Sequence, residues 1–141
     1  MSVICWDGKR VAADRQGCIG DTPIISPKLF KVGNRVFGCS GMSAIKFAFK
    51  EWVEKGCPAD DKPLLEGNFG IILINKKVCW YYGEKELYPT EITEPFWAVG
   101  SGADYALGAM AMGADAIKAV EIACKFDVYC GGGVDSFDVM I

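Results

Sequence analysis

The order of its segments predicts an α+β domain in which two β-sheets pack face to face with helices outside them. Three observations carry that expectation. Short apolar runs joined at turn dipeptides fill the N-terminal part, and helical periodicity then appears in one central and two late segments. Apolar residues make up 51% of the 141 positions and charged residues 23%, the balance of a folded chain with one sizeable core. Residues 1–141 are expected to form a single domain, with no internal repeat, low-complexity stretch or linker.

The elements follow in order. Val3–Trp6 and Arg10–Ala13 read as a hairpin joined at Asp7-Gly8, a strong short hairpin signal. Ile24–Ile25, Leu29–Val32 and Arg35–Cys39 read as strands, the last two joined at Gly33-Asn34. A helix fits Ser43–Lys55, with Ser43 as its N-cap; Ile45, Phe49, Trp52 and Val53 make its apolar face, and Lys46, Lys50, Glu51 and Glu54 its wet side. Gly56, Pro58 and Pro63 end it in a polar loop. Asn68–Ile74 turns at Asn75-Lys76-Lys77 into Val78–Tyr82, and Phe96–Val99 feeds Gly100-Ser101-Gly102. Helices are expected over Ala103–Met112 and Asp115–Lys125, the second with Ile117, Val120, Ile122 and Cys124 on its apolar face. A last strand is expected over Phe137–Ile141.

Composition removes several classes of function. Net charge is −3 with no block of one sign, so neither a nucleic-acid groove nor a polybasic membrane patch is expected. The longest apolar run, Phe69–Ile74, is too short to span a bilayer, and the N-terminus lacks the order of a signal peptide. Seven cysteines without C-x-x-C spacing suit core thiols in a reducing cytoplasm. Histidine is absent, which excludes a Ser-His-Asp triad, a Cys-His dyad and the common zinc sites; neither metal nor cofactor is expected. A hydrolase built on this chain must take its base from an amine or a carboxylate.

The first residues offer such a base. Met1 precedes Ser2, a residue small enough for the initiator Met to be trimmed, which would leave a hydroxyl beside a free α-amine. An α-amine titrates near ~8 in free peptides and can accept a proton at neutral pH. The hairpin would return Asp14 to that terminus. Hydroxyl, amine and carboxylate are the parts of an N-terminal-nucleophile hydrolase; read on the hairpin alone, the same residues also fit a plain edge hairpin.

In that element order the motifs resemble the proteasome β-subunit family, especially its short bacterial HslV-type and phage-encoded relatives. The matching segments are Ser2-Val-Ile, Asp7-Gly-Lys-Arg-Val-Ala-Ala-Asp14, Lys28-Leu-Phe-Lys-Val, Gly38-Cys-Ser-Gly41, Ala98-Val-Gly-Ser101-Gly-Ala-Asp-Tyr-Ala-Leu-Gly and Asp127-Val-Tyr-Cys130-Gly-Gly. They span nearly the whole chain. The resemblance implies a four-layer αββα sandwich and peptide-bond hydrolysis by an N-terminal nucleophile. It further implies a homo-oligomeric chamber, peptide or unfolded-protein substrates and a separate ATPase unfoldase.

Carried over by position, the resemblance makes Ser2 the nucleophile in place of the family's usual Thr, and Asp14 the carboxylate that holds the catalytic Lys28. Alternation places Lys28 on one face with Phe30 and Val32, toward the interior; a snorkelling surface lysine is the alternative. Gly41 matches the donor of an oxyanion N–H, against an ordinary strand-to-helix turn. Ser101 matches the serine beside the terminal amine, although Gly-Ser-Gly before a helix also fits a weak phosphate cradle. Asp127 matches a second carboxylate of that cluster. The chain departs from the pattern at Cys130, where the family often has serine, in a first hairpin shorter by an even number of residues, and in the loop Gly56–Gly67, where a second helix is usual. Ala103, Ala106, Ala109, Met110 and Met112 are expected at a homo-oligomer interface. Two other functions share these residues: a non-catalytic interaction protein of the same fold, and an amidohydrolase acting on small amides.

Overall fold

The computed structural model describes residues 2–41, 43–63, 70–83 and 88–139. Its first sheet is built from β1 (Ile4–Trp6), β2 (Arg10–Asp14), β10 (Trp97–Val99) and β11 (Val134–Asp138), in the order β10-β1-β2-β11. The second sheet joins β5 (Leu29–Val32), β6 (Arg35–Ser40), β7 (Gly70–Asn75), β8 (Val78–Tyr82) and β9 (Thr90–Ile92) in chain order. Every pairing in both sheets is antiparallel. A separate hairpin, β3 (Gln16–Ile19) with β4 (Thr22–Ile25), projects from the end of β2.

Strand alternation sorts the apolar residues into three layers of core. Ile4, Trp6, Val11 and Ala13 from the first sheet meet Leu29, Val36, Ile72 and Ile74 from the second. On the outer face of the first sheet, Val3, Cys5 and Ala12 pack under α2 (Ala103–Ala111) and α3 (Ala116–Phe126). On the outer face of the second, Phe37, Cys39, Ile71 and Leu73 pack under Phe49, Trp52 and Val53 of α1 (Ser43–Glu54). Helices, sheet, sheet and helix stack as an αββα sandwich.

Several elements depart from the sequence expectation. The β3–β4 hairpin extends the short strand expected at Ile24–Ile25, and β9 was not expected; both are largely solvent-exposed, so neither leaves an alternating apolar pattern. The first hairpin loop is longer than two residues: Asp7 Oδ1 accepts from the N–H groups of Lys9 (2.9 Å) and Arg10 (2.8 Å), and Asp7 Oδ2 accepts from Ala116 N–H (2.8 Å), the first of α3. Lys76 and Lys77 alone form the β7–β8 turn, at φ of 52° and 65°. Ser43 is the first residue of α1 rather than its cap, whereas Asp115 caps α3 by accepting from Lys118 N–H at 2.8 Å. Fully buried positions of α3 are Ala116, Ala119, Val120 and Ala123, at helical spacing on its sheet-facing side, whereas Ile117, Ile122 and Cys124 flank that face and stay half-buried. The final strand begins at Val134, in register with Asp14; the end of the expected span, residues 140–141, lies outside the described residues, as do 64–69 of the expected loop and strand.

Lys46 overturns its expected place on the wet side of α1, being only 7% exposed. It stands three residues before Phe49 and seven before Val53, which puts it on their face of the helix. Ala106 and Met110 are buried within the chain's own core and are not available to an interface, while Met112 at 90% exposure is.

Candidate active site

Asp14 ends β2 at the edge where both sheets and the α3–β11 connection meet. Its side chain is fully buried, and four donors converge on it. Oδ1 accepts from Val3 N–H at 3.1 Å and from the Lys28 ammonium at 2.7 Å; Oδ2 accepts from Gln16 N–H at 3.2 Å and Gly131 N–H at 3.1 Å. A buried carboxylate is tolerated only when its oxygens are so occupied.

Lys28 reaches Asp14 from the other sheet and is itself only 6% exposed. It stands just ahead of β5, where its carbonyl accepts from Cys39 N–H at 3.1 Å. The face argument that placed it with Phe30 and Val32 is corrected here: those two pack toward α1, while Lys28, at the sheet margin, sends its long stem across to the first sheet.

Ser2 precedes β1 and is fully buried. Its nitrogen donates to Ser101 Oγ at 3.1 Å, and its carbonyl accepts from Gly102 N–H at 3.0 Å. Among the described residues its own Oγ, a buried hydroxyl, has no hydrogen-bond partner. The close fit depends on Gly100, at φ +102°, where a Cβ would fall 2.2 Å from the Ser2 carbonyl oxygen.

Ser101 links Ser2 to Asp127. Its hydroxyl lies 3.5 Å from the Ser2 carbonyl, and its interaction with the Asp127 carboxylate is among those that hold that carboxyl's pKa down. Asp127 follows α3 and also accepts from Tyr129 N–H at 2.9 Å and the Cys130 thiol at 3.4 Å. Burial works to raise its pKa, but the bonds from Ser101, Tyr129 and Cys130 outweigh it and hold the carboxyl below its usual range. Burial, with the charges of Asp14 and Asp127, pushes the Cys130 thiol up to about 12, so it stays protonated and donates.

The structure thus brings five of the six residues expected from the sequence into one cluster made of two groups: Asp14 with Lys28, and Ser2 with Ser101 and Asp127, the two adjoining at Val3, whose N–H donates to Asp14. Gly41 sits between β6 and α1 at φ +113°, a conformation natural to glycine; among the described residues no hydrogen bond ties it to the cluster. Sequence reasoning left out the Gly131 N–H, a backbone donor without any side-chain signal; at Cys130, where the resemblance implies a thiol contact in place of a serine's hydrogen bond, the thiol reaches Asp127. A cavity of about 310 Å³ opens at the far end of β5, lined by Lys31, Asn34, Lys76 and Lys77 over Val36 and Ile74, and none of the cluster lines it. Among the described residues no group of His, Cys, Asp and Glu is placed to hold a metal, and no helix is long and apolar enough to cross a membrane.

No protein-family model matches the sequence, and no curated protein matches it. Solved structures match along its length. Thiobacillus denitrificans BPH in complex with epoxomicin superposes with a TM-score of 0.71 at 20% identity, covering 100% of both chains. A second Thiobacillus denitrificans BPH structure gives 0.71 at 21% identity, over 97% of this chain and 96% of that one. HslV from Trypanosoma brucei gives 0.74 at 18% identity, over 97% of each. The αββα sandwich of this chain is therefore the proteasome/HslV-type fold.

Proposed function

We propose that this chain is a proteasome-like N-terminal-nucleophile peptidase that acts, once Met1 is removed, as a homo-oligomer supplied by a separate unfoldase. One observation carries the reading: among the described residues the buried Ser2 hydroxyl has no partner, while the nitrogen of the same residue donates to Ser101, which interacts with Asp127. A buried hydroxyl left unpaired costs about 1–3 kcal/mol. Such a cost is understandable where the oxygen must be free to attack.

In the proposed reaction, Ser2 Oγ adds to the peptide carbonyl and its proton passes to the Ser2 α-amine, directly or through water. Collapse of the tetrahedral adduct breaks the C–N bond, and the amine leaves with that proton. Water then hydrolyses the acyl ester and restores Ser2. The Lys28 ammonium, anchored by Asp14, favours the developing oxyanion and alkoxide electrostatically. Ser101 and Asp127 orient the amine, and the N–H of Gly41 is the proposed oxyanion donor.

The test begins with intact mass, which reports whether Met1 is lost. Met1-free protein is then given fluorogenic peptides and epoxomicin, the compound bound in the Thiobacillus denitrificans neighbour. Turnover that disappears in Ser2→Ala, with an adduct mapped to Ser2, supports the peptidase. A verified free Ser2 that neither cleaves peptide nor forms an adduct, with an unfoldase supplied, removes it. The second reading, a non-catalytic interaction protein, is favoured by the Ser2 nitrogen already being satisfied as a peptide N–H. Retention of Met1 in the isolated protein would support that reading.

A further inference from the structure

The cavity of about 310 Å³ at the far end of β5 has no part in the proposed reaction. Its walls are β5 and the end of β11, and the residues nearest Lys28 and Asp14 stand at their other ends. At roughly 3.3 Å per residue, the three positions from Lys28 to Lys31 put it about 10 Å from the cluster. The floor is aliphatic: Val36 and Ile74 are each 1% exposed, and Val139 packs with them in the core between the sheets. Among the described residues no aromatic ring lines it.

The rim is cationic. Phe30 and Val32 pack toward α1, so Lys31 lies on the other face of β5 with Leu29, between the sheets. Lys76 and Lys77 come from the β7–β8 turn. All three lysines are exposed, and among the described residues no carboxylate pairs with any of them. The acid on the rim, Asp138, is engaged by Arg10 at 2.6 Å. An inward lysine guards an edge strand against pairing, and β5 is an edge. That accounts for Lys31 but not for two lysines in a turn. Both have positive φ, at 52° and 65°, where a two-residue hairpin favours Asn-Gly. Holding lysines in that conformation costs folding energy and gathers two further cations at one mouth.

We infer that this cavity binds a small aliphatic phosphate monoester, its dianionic group on the three lysines and its alkyl chain over Val36, Ile74 and Val139. Separate ammonium charges suit a phosphate, whereas a carboxylate is matched best by one Arg fork. The volume is at the small end for ligand pockets, and no ring is present among the described residues to stack a nucleobase.

Hexyl phosphate is the probe, titrated calorimetrically into the intact chain at about pH 8, where the monoester is doubly charged. Inorganic phosphate, hexanoate and hexanol are run beside it. Burial of the alkyl chain predicts roughly ten- to a hundred-fold tighter binding than inorganic phosphate. Hexanoate should bind more weakly than hexyl phosphate, and hexanol not measurably. Lys76→Asn combined with Lys77→Gly removes two cations and supplies the favoured turn. This double variant should melt no lower than wild type while losing at least about tenfold in affinity. Lys31→Glu should lose as much, and should it fail to fold, the turn variant decides. Lys118→Ser, on α3 and outside the cavity, should bind as wild type does. Absence of hexyl phosphate binding overturns the inference, as does affinity that survives the turn variant or falls equally in Lys118→Ser. Inorganic phosphate or hexanoate binding as tightly as hexyl phosphate also overturns it. None of these outcomes depends on peptide turnover, so the site stands or falls apart from the proposed reaction.

Discussion

Replacing Ser2 by Ala should make the protein more stable while it abolishes any hydrolysis. Among the described residues the buried Ser2 Oγ has no partner, so its removal relieves a cost of about 1–3 kcal/mol. The void left by one oxygen returns part of this, leaving a net gain of about 1 kcal/mol. An unfolding entropy of ~2.1 cal/mol/K per residue, applied to this chain, gives about 0.3 kcal/mol/K. The gain therefore corresponds to a rise in Tm of about 3 °C. Calorimetry of wild type and Ser2→Ala, with the same residue 1 in both, measures it directly. A fall in Tm would mean that the hydroxyl is hydrogen-bonded in the folded protein, and the case for a free nucleophile would fail. Ser2→Thr serves as the control, since it keeps the hydroxyl and should not gain stability.

Three further outcomes are expected. Lys28→Met should cost about 3 kcal/mol, the low end for breaking a buried pair, because three N–H donors stay on Asp14; the urea midpoint should fall by about 1–3 M, and an unchanged midpoint would refute the buried pair. Asp127 has a folded pKa below its unfolded value of 3.8, so its stabilisation is present above that value and is lost as pH falls through the folded pKa; Asp127→Asn should flatten the acid limb of a stability–pH curve. Gly100→Ala should destabilise by at least about 2 kcal/mol, since its Cβ meets the Ser2 carbonyl at 2.2 Å and its φ is +102°; a thermal melt matching wild type would show that the contact relaxes freely.

What could be read from the sequence was what burial writes into it. Leu29–Val32 and Arg35–Cys39 carry a two-residue turn with glycine at positive φ and emerge as β5 and β6. Phe49, Trp52 and Val53 mark the buried face of α1 for the same reason. Elements wet on both sides, such as Thr22–Ile25, leave no such trace. Lys46 was misplaced because charge was read as exposure, although its spacing from Phe49 and Val53 placed it inward. For the site, the residues themselves indicated only the terminal hydroxyl, amine and nearby carboxylate. The bonds that join Ser2 to Ser101, or Gly131 to Asp14, cross 99 and 117 positions and have no local signature. Ser101 and Asp127 were reached through family resemblance rather than through spacing.

The convergence on Asp14 limits which variants can speak to mechanism. Its carboxylate ties β1 through Val3, β3 through Gln16, the approach to β11 through Gly131 and the second sheet through Lys28. Removing it would strand a buried ammonium, the buried Val3 N–H and two half-buried N–H groups together, so lost activity in Asp14→Ala would report collapse of the sheet edge as readily as lost catalysis. Ser2 presents the opposite case. Its Oγ bonds to none of the described residues, and stability and activity should move in opposite directions when it is deleted. A structural serine cannot produce that divergence, whereas a nucleophile held ready at a cost in folding energy must.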